Sequence, residues 1–427
     1  MTADRKGRNP MSFERIGIRP AQILLPAPGV KPETWACIAC DQYTSEPAYW
    51  EKAFAFAGEA PSAIRLILPE YNLKNSETLI PQIHGAMADY LARGLLVPAV
   101  DPGFILCERA VPAGSRLGLV CAVDLEQYSF EKGSLPLVRP TEQTIASRLP
   151  PRLVIRRGAP VELTHIMILI DDPDRTVLEP LQAKKDSLRK LYDFDLMMKG
   201  GHLKGWAVDR EEDLAHVDAS LSALLEKLGA DPLLLAVGDG NHSLATAKAY
   251  WEELKKTLSP AEQENHPARF ALCEIVNIHD NALLFEPIHR VVTGTDADDL
   301  LADWRDYAAA RGMTLEGAEG HTFTVVSAGE DKVITVGNPE GAIPCETIQK
   351  FLDDYLSRHP EAEIDYIHGE QSLRSLAEVP GAVGFLLPEI DKNSFFSDVK
   401  KLGVLPRKTF SMGEADEKRF YMEAKEI

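Results

Sequence analysis

The stretch from Leu233 to Lys248 constrains the fold more than any other. An apolar run, Leu233-Leu-Leu-Ala-Val237, breaks at Gly238-Asp-Gly-Asn-His-Ser243 and continues in Leu- and Ala-rich sequence at helical spacing. A short apolar run ended by glycines and followed by a helical pattern reads as a strand, a tight turn and a helix start. Gly238 and Gly240 relieve backbone strain where the chain reverses, and Asn241 or Ser243 supplies a side-chain oxygen to cap the first helical turn. N–H groups at such a helix start favour an anion. Asp239 and His242 place a carboxylate and an imidazole beside them, the groups most used to move protons near neutral pH. The same spacing also suits a plain strand-to-helix turn in which Asp and His act as caps. It is neither Gly-x-Gly-x-x-Gly nor a Walker loop, for there is no third glycine and no Gly-Lys-Ser/Thr.

Helical and strand-like segments alternate along the rest of the chain without an internal repeat, which predicts a mixed α/β (α+β) architecture. Residues 1–10 read as a polar, disordered N-terminus, with Met11 an alternative start. An N-terminal α/β region follows over 11–150, a core region with the Gly-Asp-Gly-Asn-His-Ser motif over 151–291, and a C-terminal α/β region over 292–427. Phe104–Ala110 and Gly118–Asp124 form a predicted hairpin through Pro-Ala-Gly. A strand is expected over Thr164–Ile170, and helices over Thr176–Leu191, Glu211–Leu228, Asp296–Arg311 and Thr347–Arg358. Phe270–Asn277 and Leu283–Pro287 read as strands paired around Asp280-Asn281, and Pro406–Tyr421 as a polar hairpin, since aromatics flank its turn residues.

The formal net charge of −19 opposes general nucleic-acid binding, which needs clustered Lys and Arg over a large face, so duplex DNA is not an expected partner. No run approaches the roughly 18–20 apolar residues that span a bilayer, and Met1-Thr-Ala-Asp-Arg-Lys-Gly-Arg8 lacks the apolar core of a signal peptide, which predicts a cytoplasmic protein. Six cysteines in 427 residues make no disulfide framework. Cys37 and Cys40 form one Cys-x-x-Cys pair; zinc would need two further ligands, and Trp35–Asp41 also reads as a plain buried segment. Without a Gly-x-Ser-x-Gly elbow, a His-Glu-x-x-His helix or an EF-hand loop, the common hydrolase, zinc-protease and calcium readings have no support.

Arginines concentrate between Arg139 and Arg157, at Arg139, Arg148, Arg152, Arg156 and Arg157. A guanidinium fork suits phosphate or carboxylate, and in Arg139-Pro-Thr-Glu142 the proline fixes the presentation of an arginine and a candidate base. The outer arginines read equally well as a solvated face. His289-Arg290 ends a strand-like run and could meet an anion, as could Lys408 in Arg407-Lys-Thr409.

Taken together, Arg139-Pro-Thr-Glu-Gln-Thr144, Gly238-Asp-Gly-Asn-His-Ser243, Pro287-Ile-His-Arg290, Tyr366-Ile-His-Gly369 and Pro406-Arg-Lys-Thr-Phe410 resemble, in order and spacing, the family called domain of unknown function 1015, labelled SpoOJ- or ParB-like, over about Ile18 to Glu426. Many relatives carry Ala-Asp-Gly-His-His-Arg at the central motif; here the first His is Asn241 and the Arg is Ser243. The motif is similar to that of the ParB/sulfiredoxin fold, which includes free-serine kinases, and the resemblance implies a ParB/sulfiredoxin-like core elaborated by further sheets and helices. It further implies a nucleotide-dependent phosphotransfer enzyme acting on a small hydroxyl metabolite, in free-serine or phosphoserine metabolism, with ATP or ADP and Mg2+. In that reading Asp239, His242 and Glu142 are catalytic, and Asp239 and Glu142 hold the metal. Gly238, Gly240, Asn241, Ser243, Arg139, His289, Arg290 and Lys408 bind the phosphates or nucleotide. The alternatives are a non-catalytic ParB-type nucleotide-sensing regulator and a phosphoester hydrolase at the same site.

Overall fold

The computed structural model describes residue 11 and residues 13–427 apart from 132, 146, 148 and 164; the expected N-terminal tail 1–10, Arg148 and Thr164 lie outside them. Contacts divide the chain into two mixed α/β units. Unit 1 holds the residues up to Pro140, Thr144–Leu283 and Glu414–Ile427; unit 2 holds Thr141–Gln143 and Leu284–Gly413. Each unit is assembled from segments that are not consecutive in sequence. Chain segments far apart share one sheet, because backbone pairing follows hydrogen bonds and not sequence order.

Unit 1 is built on a sheet of twelve strands among the described residues. Its main path runs Val138–Pro140, Leu235–Asp239, Met167–Ile170, Phe270–Asn277, Gly114–Asp124, Leu96–Val111, Ala21–Pro26, Ala424–Glu426 and Val161–Leu163. The expected hairpin is present and longer than predicted, with Ile105 opposite Val120 and Cys107 opposite Gly118. Phe270–Asn277 is buried along its whole length. Both faces are covered, so apolar residues run through the strand with only Glu274 and Asn277 as exceptions. One core cluster packs Ile168, Leu235 and Val237 against Leu244, Ala247 and Trp251. Those last three recur at helical spacing on Asn241–Leu254, so one face of that helix is pinned to the sheet.

Unit 2 has a six-stranded sheet among the described residues. Glu330–Val336 pairs with His321–Ser327, which pairs with Ala382–Leu386; Phe285–Thr293 lies between that strand and Glu363–His368. The helices Ala297–Ala310 and Pro344–Arg358 bring Trp304 onto Phe351 with ring centroids 5.2 Å apart and an interplanar angle of 12°. Phe323 and Phe385 meet the same indole edge-on.

Three local expectations fail for tertiary reasons. Thr176–Leu191 is not one helix: Glu179–Ala183 is helical, and Lys190–Asp195 is a strand pairing with His202–Val208, a case of partner strands overriding local propensity. Phe270–Asn277 and Phe285–Thr293 do not pair with each other; one joins the sheet of unit 1 and the other that of unit 2. Pro406–Tyr421 is no hairpin either: Phe410–Met412 pairs with Phe285–Pro287, whereas Phe420-Tyr421 pairs with Cys37-Ile38.

Candidate functional site

The strand Leu235–Asp239 pairs in parallel with Val138–Pro140 and antiparallel with Met167–Ile170, and the second register slips between Val237 and Asp239. Gly238 sits at that irregularity, which turns the following side chain out of alternation. Gly240 then adopts φ 77° and ψ 26°. A Cβ there would lie 3.0 Å from the Cα of Ile166, so both the left-handed backbone and the close approach require glycine. The helix Asn241–Leu254 begins directly after it with no side-chain cap. Asn241 is therefore the first helical residue and not the cap expected from sequence, and the Ser243 hydroxyl is engaged elsewhere. First-turn amides lack an intrahelical carbonyl partner and carry the positive end of the helix dipole.

Asp239 Oδ1 accepts the Gly240 N–H at 2.9 Å, and its Oδ2 lies 3.5 Å from Lys418 Nζ. A carboxylate, an ammonium and a helix start are thus gathered at one turn. His242 Nε2 accepts the Ile145 N–H at 3.4 Å. A ring nitrogen that accepts carries no proton, so this nitrogen does not donate to a phosphate while that bond is kept.

Three groups that sequence reasoning missed complete the turn. Ser243 Oγ lies 3.1 Å from His165 Nε2, and His165 Nδ1 lies 2.7 Å from the Tyr421 hydroxyl. That hydroxyl also accepts the Cys40 N–H at 3.2 Å. Tyr421 is 2% exposed, so its single proton needs an acceptor, and His165 Nδ1 is the one at hand. Donor counting then assigns the Nε2–H tautomer to His165 and makes Ser243 Oγ the acceptor. The hydroxyl proton of Ser243 points away from the imidazole, the reverse of a serine nucleophile, whose proton the histidine takes. Asp41 Oδ2 stands 3.6 Å from the same nitrogen. Burial pushes the Asp41 carboxyl up, but its neighbours, the Gln42 amide and the Lys418 ammonium among them, hold it below its ordinary range. Burial lifts the Tyr421 hydroxyl well above its usual value and the Cys40 thiol to about 12, which keeps both protonated. No sequence signal marks His165, Tyr421 or Lys418, because their partners lie far away along the chain.

Arg139 is buried, and its guanidinium is committed to the Asp231 carboxylate and, at 3.1 Å, to the Pro136 carbonyl. That corrects the expectation of a phosphate-facing fork. Glu142, His289, Arg290 and Lys408 belong to unit 2. There Glu142 bridges to Leu405 and, like Arg290, acts electrostatically on Cys345. Arg290 is fully buried, donates to Cys345 Sγ at 3.0 Å and Gln349 Oε1 at 3.3 Å, and lies over the Tyr366 ring. His289 Nδ1 accepts the Leu387 N–H at 3.2 Å. Lys408 is exposed at φ 58°.

The implied magnesium fits poorly. Among the described residues no three His, Cys, Asp or Glu side chains group to hold a metal ion. In unit 1 the expected ligand Asp239 already has an ammonium beside Oδ2, and Mg2+ asks for oxygen ligands with near-ideal octahedral freedom. Cys37 and Cys40 are unbridged thiols.

The family described as "Protein of unknown function (DUF1015)" matches residues 18–355, and the chain belongs to it. No curated protein matches the sequence. Solved structures similar to this chain include a mutant free serine kinase in complex with AMP, 12% identical, covering 73% of this chain and 93% of that one at a TM-score of 0.39. A conserved hypothetical protein from Pyrococcus furiosus is 12% identical over 72% and 94%, with a TM-score of 0.35. SbnI with a C-terminal truncation, from Staphylococcus aureus, is 9% identical over 71% and 85%, with a TM-score of 0.36.

Proposed function

We propose that this member of the family is a nucleotide-dependent phosphotransferase that phosphorylates a small hydroxyl compound at the Gly238–Ser243 turn of unit 1. The observation that carries the reading is the convergence of Asp239, Lys418 and an uncapped helix start behind Gly240. Phosphoryl transfer asks for little covalent chemistry from a protein; it asks for positioning and for positive charge at the transferred group.

The amides of the first turn of Asn241–Leu254 and the Lys418 ammonium hold the terminal phosphate. The acceptor hydroxyl oxygen attacks phosphorus; a P–O bond forms as the bond to the leaving nucleotide oxygen breaks. The acceptor proton passes to Asp239 and from there to solvent, and the leaving oxygen keeps the electron pair. No resident metal enters these steps; a divalent cation bound to the nucleotide would supply additional charge neutralisation. His242 orients the turn through Ile145.

The test follows labelled phosphate from ATP and ADP, with free serine as the first acceptor tried, in wild type and Asp239→Asn. Wild type should transfer label to an acceptor. The variant, nearly isosteric but uncharged, should lose turnover by at least about 100-fold while retaining its melting temperature. Absence of wild-type turnover with every nucleotide, or full activity in Asp239→Asn, overturns the reading; release of inorganic phosphate alone would make the site a hydrolase.

A further inference from the structure

Within unit 1 a cavity of about 150 Å³ opens beside Ser243 and Thr246, one turn apart on the same helix. Most of its wall is aliphatic, with Leu66, Leu68, Met87, Ile155 and Leu272 among its members. Apolar cavities of this size, about 150 Å³, accept a ligand as large as benzene.

The charged side chains on the wall are already paired. Arg152 contacts Glu70, and Arg156 donates to Glu162 at 2.6 Å. Glu162 also meets Lys425 at 3.3 Å. A zwitterion entering here would have to break those buried pairs, and a partner left behind without its counter-charge is costly. A neutral molecule leaves them intact.

Two donors remain to orient such a molecule. Ser243 accepts from His165, so its own hydroxyl proton is available on the side away from the imidazole. Arg156 Nε–H is buried and has no acceptor among the described residues. Both residues line the cavity. A buried donor without an acceptor is paid for by the fold unless a ligand supplies the oxygen.

We infer that the cavity is the acceptor subsite, and that the acceptor is a neutral hydroxyl compound with an apolar body about as large as a benzene ring, not a zwitterionic amino acid. This rests on the phosphotransferase reading for the word acceptor; the ligand class rests on the cavity alone. An oxygen of the ligand meets Ser243 and Arg156, and the ring or chain lies against Leu68, Met87 and Leu272.

The experiment is 19F NMR of 4-fluorobenzyl alcohol with the full chain and no nucleotide. The expected result is saturable line broadening that benzyl alcohol competes away and L-serine does not. Ala159→Phe, which fills the cavity from a lining position, should weaken binding at least about tenfold. Should Ala159→Phe melt early, Ala159→Leu carries the same comparison. Absence of saturable broadening overturns the inference. So does displacement by L-serine at the same concentration as benzyl alcohol, or wild-type binding in both folded Ala159 variants. If the alcohol binds but no acceptor is ever phosphorylated, the phosphotransferase reading fails and the cavity's ligand class stands; if serine is phosphorylated and the alcohol does not bind, the reverse holds.

Discussion

The two units bury different chemistry. At the centre of unit 2, Trp304, Phe323, Phe351 and Phe385 form an aromatic cluster with no charged member. Unit 1 instead encloses paired opposite charges, whereas the buried Arg290 of unit 2 donates to the neutral Cys345 and Gln349. Arg419, 5% exposed, donates to Glu274 and to Glu423 at 2.7 Å each, and Glu423 also accepts from Tyr192. An aromatic cluster draws its stability from area and shape, and tolerates small errors by repacking. A buried ionic network holds only while every member is present, because any one removed leaves the others unpaired. Unit 1 is therefore the brittle one, and it contains the turn where chemistry is proposed.

The comparison breaks first at Arg419. Arg419→Met strands the carboxylates of Glu274 and Glu423, and the loss should reach about 5 kcal/mol, the upper end for a broken buried pair. Combining it with Glu274→Gln and Glu423→Gln should recover part of that loss; if the triple variant is no better than the single one, charge stranding is not the cause. Trp304→Ala should cost about 3–4 kcal/mol from lost transfer and an unfilled cavity, and Trp304→Phe much less. Hydrogen exchange at Ala297–Ala310 and Pro344–Arg358 reads this effect; equal losses for Ala and Phe would deny that aromatic area is what stabilises unit 2. Gly240→Ala should cost about 1–3 kcal/mol because it forces an alanine into a left-handed conformation against Ile166; a thermal melt unchanged from wild type would mean the turn relaxes.

The smallest effect sharpens the contrast through pH. Burial pushes His289 down to about 4, with Glu370 opposing and Arg290 and His368 assisting. Its Nδ1 must stay unprotonated to accept from Leu387. As pH falls below about 6.5, the unfolded chain takes a proton that the folded one refuses, so stability falls between about pH 6.5 and 4 and levels off below that. The denaturant midpoint of unit 2, followed by exchange, should show this slope, and His289→Gln should flatten it. An unchanged slope in the variant would move the effect to another group.

Periodicity made parts of both units legible. The helices Glu211–Glu226, Ala297–Ala310 and Pro344–Arg358, and the long hairpin of unit 1, lie close to where apolar spacing puts them. The strand, turn and helix around Gly240 were equally clear, because two glycines and a change of period mark the spot. The partners of that turn were not. Lys418 reaches Asp239, and Tyr421 reaches His165, across long sequence separations, and nothing in a polar stretch with a few aromatics tells which residues it will meet. Arg139 misled for the related reason that its acceptor, Asp231, is set by register with Leu235–Asp239 and not by its neighbours in sequence.

The placement of Ala424–Glu426 between Ala21–Pro26 and Val161–Leu163 has a consequence for biosynthesis. On the ribosome, every other described strand emerges before this one. Two edges of the first sheet therefore wait, unjoined, through the synthesis of the whole second unit, and unpaired edges invite association with other chains. The same late segment carries Lys418 and Tyr421, so the ammonium and the tautomer-setting phenol reach the turn only after Leu284–Gly413 has been made.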